Sequence, residues 1–475
     1  MSLPETIEII PLRQPVEAAV TVPGSKSITN RALILAALAQ GEVILKGALW
    51  SEDTEAMFHC LHTLGFEVSQ QADPHELCNR TITVKGLGGV IPNGGTAEKP
   101  LELFVSNAGT AARFLAAFLC LGQGVYRLSG IPRMHERPQA ALFQALRELG
   151  YRVEAEKSND KLPVKIFGGG SRGAEALAEK TGAGNDRSLL TSAATRKCTV
   201  SIAESSQFAS ALLLSAKTGG WQVQIAGENE DESPYVVMTE RLVEAFPFTG
   251  GTFQIEPDAS SGSYFWGAGW LIFALEMLRQ TPPAGRWTGS PVTVNAWPDS
   301  GWQIDADFPH FLPFPAEVSR EAHLGDSIMT AIVLAADRDT ANNWGLREGH
   351  DAVRFTDLGR LRVQECERVA ALRTELTKCG ARVVEEGDTL TVYPAALHGA
   401  EIETYNDHRM AMCFAILGLK VPGIRLKNPA CVKKTFPNFF QKLAAPVPAG
   451  LGATIFEVQN GRQTRPLAGD DLFAG

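Results

Sequence analysis

The sequence predicts an α/β protein with internal duplication, and three observations carry that expectation. A helix–glycine–strand unit recurs, apolar residues fall at helical spacing ahead of its glycine, and short β-rich runs follow or intervene. The unit reads Leu61-His62-Thr63-Leu64-Gly65-Phe66-Glu67-Val68, then Leu146-Arg147-Glu148-Leu149-Gly150-Tyr151-Arg152-Val153, then Leu376-Thr377-Lys378-Cys379-Gly380-Ala381-Arg382-Val383. Glycine belongs there because a helix commonly ends on a left-handed residue before the chain turns back. Ahead of the second glycine, Ala141, Leu142, Ala145, Leu146 and Leu149 mark one helical face, and Thr81–Lys85 and Thr389–Tyr393 are β-rich. The wide, irregular intervals fit duplication of a βα unit better than a solenoid. Helix–glycine–strand passages also occur in any α/β protein, so the pattern alone leaves both readings open. The Pro-, Gly- and Trp-rich stretch Gln280–Trp302 reads as loops and edges, and Ala444–Gly475 as a loosely attached tail.

Length and charge bound the rest. The chain has 475 residues, 44 Lys and Arg against 53 Asp and Glu, and a formal charge of −9. That length allows about three domains or two large ones. With 44% hydrophobic and 20% charged residues, extended disorder is excluded. No uncharged apolar run approaches the roughly 18 residues of a membrane span. The start, Met-Ser-Leu-Pro-Glu-Thr, lacks the basic and apolar regions of a secretion signal, so a cytoplasmic location is expected. Cysteines 60, 78, 120, 198, 366, 379, 413 and 431 form no CxxC pair, which points to reduced thiols and no metal site. The acidic balance weighs against a general nucleic-acid binder but not against an anionic small molecule held in a locally positive site.

Polar residues that open apolar helices are the chemical signal. Pro23-Gly24-Ser25-Lys26-Ser27-Ile28-Thr29-Asn30-Arg31 precedes the apolar run Ala32–Leu38. Small residues let backbone N–H groups approach an anion, hydroxyls add donors, and Lys26 and Arg31 supply charge. The glycine spacing is not that of a Walker A loop, and the plain alternative is a capped helix start with two surface cations. Ser106-Asn107-Ala108-Gly109-Thr110-Ala111-Ala112-Arg113-Phe114 repeats the arrangement before Leu115–Leu121. Pro132-Arg133-Met134-His135-Glu136-Arg137-Pro138 and Ser205-Ser206-Gln207-Phe208 follow, and the cations continue with Arg362, Arg368, Arg409 and Lys434. Asp326 stands ahead of the apolar run Ala331–Ala336, and Glu365 lies between Arg362 and Arg368. Each could be an ordinary cap or surface ion pair. Thr404-Tyr405-Asn406-Asp407-His408-Arg409 entering an apolar helix is unusual for pure scaffolding.

Taken in order, these stretches resemble the 5-enolpyruvylshikimate-3-phosphate synthase family. The matching segments are PGSKSITNRALILAAL (23–38), NAGTAARF (107–114), PRMHERP (132–138), SSQF (205–208), EPDASSGSYF (256–265), GDSIMTA (325–331), RVQECERV (362–369), TYNDHRMAMCF (404–414) and KTFPNFF (434–440). They span the chain from about residue 15 to 443. The resemblance implies two similar α/β domains, each of three βαβαββ units in an inside-out α/β barrel, with the active site in the interdomain cleft. It implies one domain from 1–22 plus 256–445, an inserted one at 23–255, and a tail at 446–475.

The implied reaction moves the enolpyruvyl group of phosphoenolpyruvate to the 5-hydroxyl of shikimate 3-phosphate and releases phosphate, a step toward chorismate and the aromatic amino acids. It needs no metal and no organic cofactor, and the implied protein is a monomer with no nucleic-acid or membrane partner. Residue by residue, Lys26, Ser27, Arg31, Ser205, Ser206, Gln207, Tyr235, Asp326 and Gln364 are the expected shikimate 3-phosphate contacts. Lys26, Gly109, Arg133, Gln207, Arg368, Arg409 and Lys434 are the expected phosphoenolpyruvate contacts. Asp326, Glu365 and Lys26 are the expected catalytic groups. Two alternatives stand beside this reading: a catalytically silent phosphosugar-binding paralogue, suggested by Gln364 and Glu232, and the UDP-N-acetylglucosamine enolpyruvyl transferase, which shares the fold and phosphoenolpyruvate but lacks the KSxxNR and NDHRMAM arrangements.

Four positions depart from the family's usual residues. Gln364 replaces a Lys before the catalytic Glu, and Arg360 replaces an Asn and is expected to return the lost charge. Phe114 stands where Pro is usual, and Glu232 replaces the Ser of a Ser-x-Pro-Tyr run while Tyr235 matches.

Overall fold

The computed structural model describes residues 3–169, 196–227, 233–277, 290–338 and 351–475. Glu232 and the part of 280–302 up to residue 289 lie outside the described residues. The chain divides into two compact units: Met1–Ser25 with Pro74–Asn79 and Glu256–Gly475, and Lys26–Asp73 with Arg80–Ile255.

The second unit carries helices α1 (Lys26–Leu38), α2 (Glu52–Thr63), α3 (Gly109–Leu119), α4 (Pro132–Glu136), α5 (Ala140–Glu148), α6 (Gln207–Gly219) and α7 (Pro234–Ala245). One of its four-stranded sheets orders Gly251–Gln254, Gln40–Leu49, Asn79–Leu87 and Val68–Ala72, and the other Leu101–Phe104, Val125–Ser129, Val164–Phe167 and Arg152–Ala155. A parallel pair, Arg196–Ser201 with Trp221–Ala226, completes it.

The first unit carries α8 (Ala259–Met277), α9 (Ile328–Ala335), α10 (Arg368–Lys378), α11 (His408–Gly418) and α12 (Phe439–Ala444). Its four-stranded sheet orders Glu317–Ser319, Val353–Thr356, Thr389–Tyr393 and Arg382–Glu386. A five-stranded sheet places Thr6–Ile10 between Arg425–Lys427 and Thr454–Gln459. Ala18–Val20 pairs in parallel with Val292–Val294, a short strand inside the stretch read as loops and edges.

The recurrent glycine marks equivalent places in the three four-stranded sheets. Each sheet has a parallel pair at one edge and an antiparallel hairpin at the other. In each, a helix (α2, α5 or α10) ends and the chain turns into the first strand of that hairpin. The turning residues Gly65, Gly150 and Gly380 have φ of +89°, +86° and +91°. That conformation is open to glycine and costly for residues with a Cβ.

Helices α1, α3, α9 and α11 are buried over nearly their whole length, so apolar residues cover every side instead of one stripe. Within the second unit α1 packs on α3 and α6, and within the first α8, α9 and α11 pack together. Polar side chains on α1, α3 and α11 are confined to the first two turns, such as Asn30 and Arg31, Arg113, and His408 and Arg409. No described helix is long and apolar enough to cross a membrane.

Residues 446–475 are not the loose tail expected from composition. Thr454–Gln459 pairs antiparallel with Thr6–Ile10, and Arg462–Pro466 pairs with it in turn. Leu451, Ile455, Leu467 and Leu472 join the hydrophobic core of the first unit. The overlooked signal is Asn460-Gly461, whose φ values of +51° and +73° close a two-residue hairpin. Ile455 is fully buried, so Ile455→Ala should cost about 2–4 kcal/mol. Arg462→Ala on the exposed outer strand should stay within about 0.5 kcal/mol. A thermal melt of the two variants separates an integrated segment from a tail, for which both would be silent.

Candidate active site

Two clusters of polar side chains stand at the N-terminal ends of the buried helices, within their first two turns, one in each unit. In the second unit, Arg31 is only 1% exposed. Its Nε donates to Thr239 Oγ1 at 2.8 Å, Nη1 to the Ser27 carbonyl at 2.9 Å, and Nη2 to Ser210 Oγ at 3.0 Å and the Tyr235 carbonyl at 3.2 Å. Burial pulls its pKa down to about 10, with Tyr235 acting weakly the other way. The face of Phe114 lies 5.1 Å from its Cζ. Neutral oxygens and an aromatic face therefore surround this cation, which suits it to an anionic ligand.

Gln207 opens α6, and its Oε1 accepts from Arg113 Nη1 at 2.7 Å. Ser205 Oγ accepts the Gln207 N–H at 3.3 Å, and Ser206 is the buried residue before the helix. Gly109 opens α3 where side chains crowd in. A Cβ built there would lie 2.8 Å from Arg113 Nη1 and 2.8 Å from Cζ and Nη1 of Arg137. Arg137 Nη1 also donates to the Asn107 carbonyl at 3.2 Å. Lys26 pairs with Asp53 at 3.2 Å.

Arg137 is the arginine of this segment that stands beside Gly109, and Arg133 is placed differently. The Arg133 side chain is 40% exposed and pairs with Glu136 at 2.7 Å. Arg137 is the buried one. The proline at N1 of α4 starts a single turn whose last turn exposes Arg133, and Arg137 follows in extended backbone directed back to the loop. Two arginines one helical turn apart cannot be told apart in sequence.

In the first unit, Asp326 sits between two arginines. Oδ1 accepts from Arg320 Nη2 at 3.0 Å and Oδ2 pairs with Arg409 Nη2 at 3.0 Å. Burial pushes this carboxyl up, but Arg409, Arg320 and Arg368 outweigh it and hold the carboxyl well below the usual range. Glu365 sits between Arg368 Nη2 at 2.8 Å and Lys434 Nζ at 2.9 Å.

Arg368 is 1% exposed, and Asp407 holds it at 2.6 Å while capping α11 through the Arg409 N–H. Although burial opposes the charge on Arg368, Asp407, Glu365 and Asp326 raise its pKa. Arg409 also donates to Ser260 Oγ at 3.1 Å and Tyr264 Oη at 3.4 Å. Asp326, Glu365, Arg368, Arg409 and Lys434 are thus brought together as expected. Among the described residues no group of three or more His, Cys, Asp or Glu is placed to hold a metal ion.

The family's sequence model, described as EPSP synthase (3-phosphoshikimate 1-carboxyvinyltransferase), matches residues 11–274 and 322–443. The chain belongs to that family. A 3-phosphoshikimate 1-carboxyvinyltransferase of Nostoc punctiforme is 35% identical over 463 residues, covering 92% of this chain and 98% of that protein. One of Rhizobium etli is 36% identical over 465 residues, covering 92% and 96%. Among solved structures, an EPSP synthase of Acinetobacter baumannii has a TM-score of 0.62 at 19% identity, covering 95% of this chain and 100% of that one, a likeness of fold.

The departures from the EPSP synthase pattern have visible consequences. The Gln364 side-chain oxygen accepts from Arg368 Nη1, so the amide orients an arginine in place of adding a cation. Arg360 pairs with Glu321 at 3.8 Å, so its charge is already set against a carboxylate. Phe114 provides the aromatic face over Arg31. Sequence reading assigns no role to Arg113, Arg137 or Arg320. An arginine inside the otherwise apolar α3 was the available signal for Arg113, whereas Arg320 lies in an irregular turn and carried none.

The stacking over Arg31 is measurable. Phe114→Leu should cost about 1–3 kcal/mol in a thermal melt. The same change in an Arg31→Met background should cost about 1 kcal/mol less, because the cation that the ring faced is gone. Equal costs in both backgrounds would show that the ring only fills space.

Proposed function

We propose that this chain joins shikimate 3-phosphate and phosphoenolpyruvate into 5-enolpyruvylshikimate 3-phosphate and releases phosphate. What supports the reading, beyond membership of the family, is that two carboxylates each lie between two cations in the same unit. The chemistry needs that arrangement. The 5-hydroxyl oxygen forms a bond to the central carbon of the enol while losing its proton, and the methylene carbon gains one. The tetrahedral adduct then loses a methyl proton as its carbon–oxygen bond to phosphate breaks, and the leaving group takes that electron pair.

Asp326 is the group assigned to the hydroxyl proton and Glu365 the one assigned to the enol carbon. Ionised Asp326 can accept a proton at neutral pH, and Lys434 beside Glu365 is a suitable source and sink of charge as phosphate departs. Lys26, Ser27, Arg31, Ser205, Ser206, Gln207, Tyr235 and Gln364 are assigned to shikimate 3-phosphate. Lys26, Gly109, Gln207, Arg368, Arg409 and Lys434 are assigned to phosphoenolpyruvate, with Arg137 in place of Arg133. That both clusters serve one reaction in a cleft between barrel-type domains of three βαβαββ units, 1–22 plus 256–445 and 23–255, is part of the same proposal.

The wild-type protein should release phosphate only when both substrates are present. Asp326→Ala and Glu365→Gln should each lower turnover by roughly 10²–10⁴-fold while shikimate 3-phosphate still binds. Near-normal turnover in either variant would remove that residue from the mechanism.

Steady-state kinetics also separates the two arginines of the PRMHERP segment. Arg137→Ala should raise KM for phosphoenolpyruvate about tenfold or more, as expected for losing a charged hydrogen bond. Arg133→Ala, on an exposed pair with Glu136, should stay within about twofold.

A further inference from the structure

We infer that Arg320 is a positioning residue for the reaction: it keeps Asp326 ionised and oriented when Arg409 turns to an anionic substrate. The inference rests on the reading of Asp326 as the group that takes the hydroxyl proton.

Arg320 is built into a stiff turn rather than set on a free loop. Its own N–H donates to the Thr356 carbonyl at 3.1 Å. The preceding Ser319 closes the turn: its Oγ accepts from the N–H groups of Glu321 at 3.1 Å and Ala322 at 3.0 Å, and donates to Asp357 Oδ2 at 2.5 Å. The Leu324 N–H returns to the Ser319 carbonyl at 3.1 Å. The guanidinium at the end of this turn is 95% removed from solvent, since the residue is 5% exposed, and it meets Asp326 at 3.0 Å. A buried guanidinium placed on one carboxylate oxygen by a turn of this kind costs desolvation and has to be offset by what it holds.

The two arginines on Asp326 are not equivalent. Arg409 is shared: the Nη2 that meets Asp326 also donates to Ser260, and Nη1 donates to Tyr264. It belongs to the first turn of α11 and is one of the cations assigned to phosphoenolpyruvate. An anion drawing Arg409 away would leave Asp326 with one contact fewer on Oδ2. Arg320 would then remain as the counter-ion on Oδ1. Its Nε, buried and without an acceptor among the described residues, leaves a further donor on the same plane. A ligand oxygen beside Asp326 would satisfy it, as a buried donor requires.

The charged groups facing Asp326 are Arg409 from α11, Arg368 from α10, Arg320 from its turn, and Asp305 from the 3₁₀ turn Ile304–Phe311. Asp305 favours protonation of Asp326, and the three arginines oppose it. Removing Arg320 therefore raises the proton affinity of Asp326. Asp326 acts in its ionised form, so activity is present above its pKa and lost as pH falls through it. A raised pKa moves the acid limb of the kcat profile to higher pH.

The experiment is the pH dependence of kcat for the full chain with both substrates, in wild type, Arg320→Gln, Arg320→Lys and Asp326→Ala. In Arg320→Gln the acid limb should move up by about one pH unit or more, so that at a pH on the acid side of both midpoints kcat relative to pH 8 falls about tenfold against wild type. Arg320→Lys keeps a cation and should leave the limb within a few tenths of wild type while lowering kcat through lost geometry. A Gln limb at the wild-type position, with Asp326→Ala inactive, overturns the role of Arg320 alone. An Arg320→Lys limb displaced upward overturns it as well, whether or not the Gln variant folds. Absence of phosphate release by the wild type, or normal turnover in Asp326→Ala, overturns the underlying reading of the site and the inference with it.

Discussion

A cation buried within the first two turns of a helix that is apolar on every other side is the interaction on which much of this structure depends. Helices α1, α3 and α11 are buried almost completely, so each can tolerate a cation only where oxygens from its neighbours converge on it. Arg31, Arg113 and Arg409 are such cations, and each is held by side chains from other helices. Burial makes these guanidinium groups costly in the absence of partners, and the same burial makes them strong anion ligands. Scaffold and binding site are in this sense one construction.

The two units solve the desolvation problem differently. In the second unit Arg31 is met by hydroxyls, carbonyls and the ring of Phe114, and burial shows as a lowered pKa. In the first unit the cations meet carboxylates, and the mutual fields raise the pKa of Arg368 and lower that of Asp326. An arrangement of neutral donors and acceptors leaves net positive charge for a ligand to neutralise. An arrangement of interleaved ion pairs is close to neutral, and it is suited to redistributing protons when a ligand displaces one partner. On the proposed reading, anchoring and proton transfer fall to clusters with different electrostatic design.

Much of this was legible in the sequence, and the limits are physical. The glycines at 65, 150 and 380 marked three equivalent helix-to-strand turns because only a left-handed residue fits there. Asp326, Glu365, Arg368, Arg409 and Lys434 stood out in sequence as charged residues at turns and through the family resemblance, and the fold brings them together in the first unit. Arg137 was not distinguished from Arg133, since one turn of helix decides which points inward. Residues 446–475 were misread because Pro, Gly and Ala composition masked a two-residue hairpin and an alternating strand. Arg320 had no signal at all, since its place is set by a turn that Ser319 closes through contacts with Glu321, Ala322 and Asp357.

The substitutions that set this chain apart from its family also become intelligible through charge placement. A Lys at position 364 would add a cation beside Arg368. The amide present there accepts from Arg368 instead, which orients the guanidinium toward Glu365 and Asp407 without adding charge. Arg360 does not offer a simple replacement, because it pairs with Glu321 in the same turn that carries Arg320. The neighbouring pair Arg320 and Glu321 therefore acts in two directions, one side chain supplying charge to Asp326 and the other absorbing that of Arg360. Arg409, Arg320 and Arg368 together oppose protonation of Asp326, the group assigned to the hydroxyl. Glu365 is governed by Lys434 and Arg368, whose contacts with it a departing phosphate would compete for.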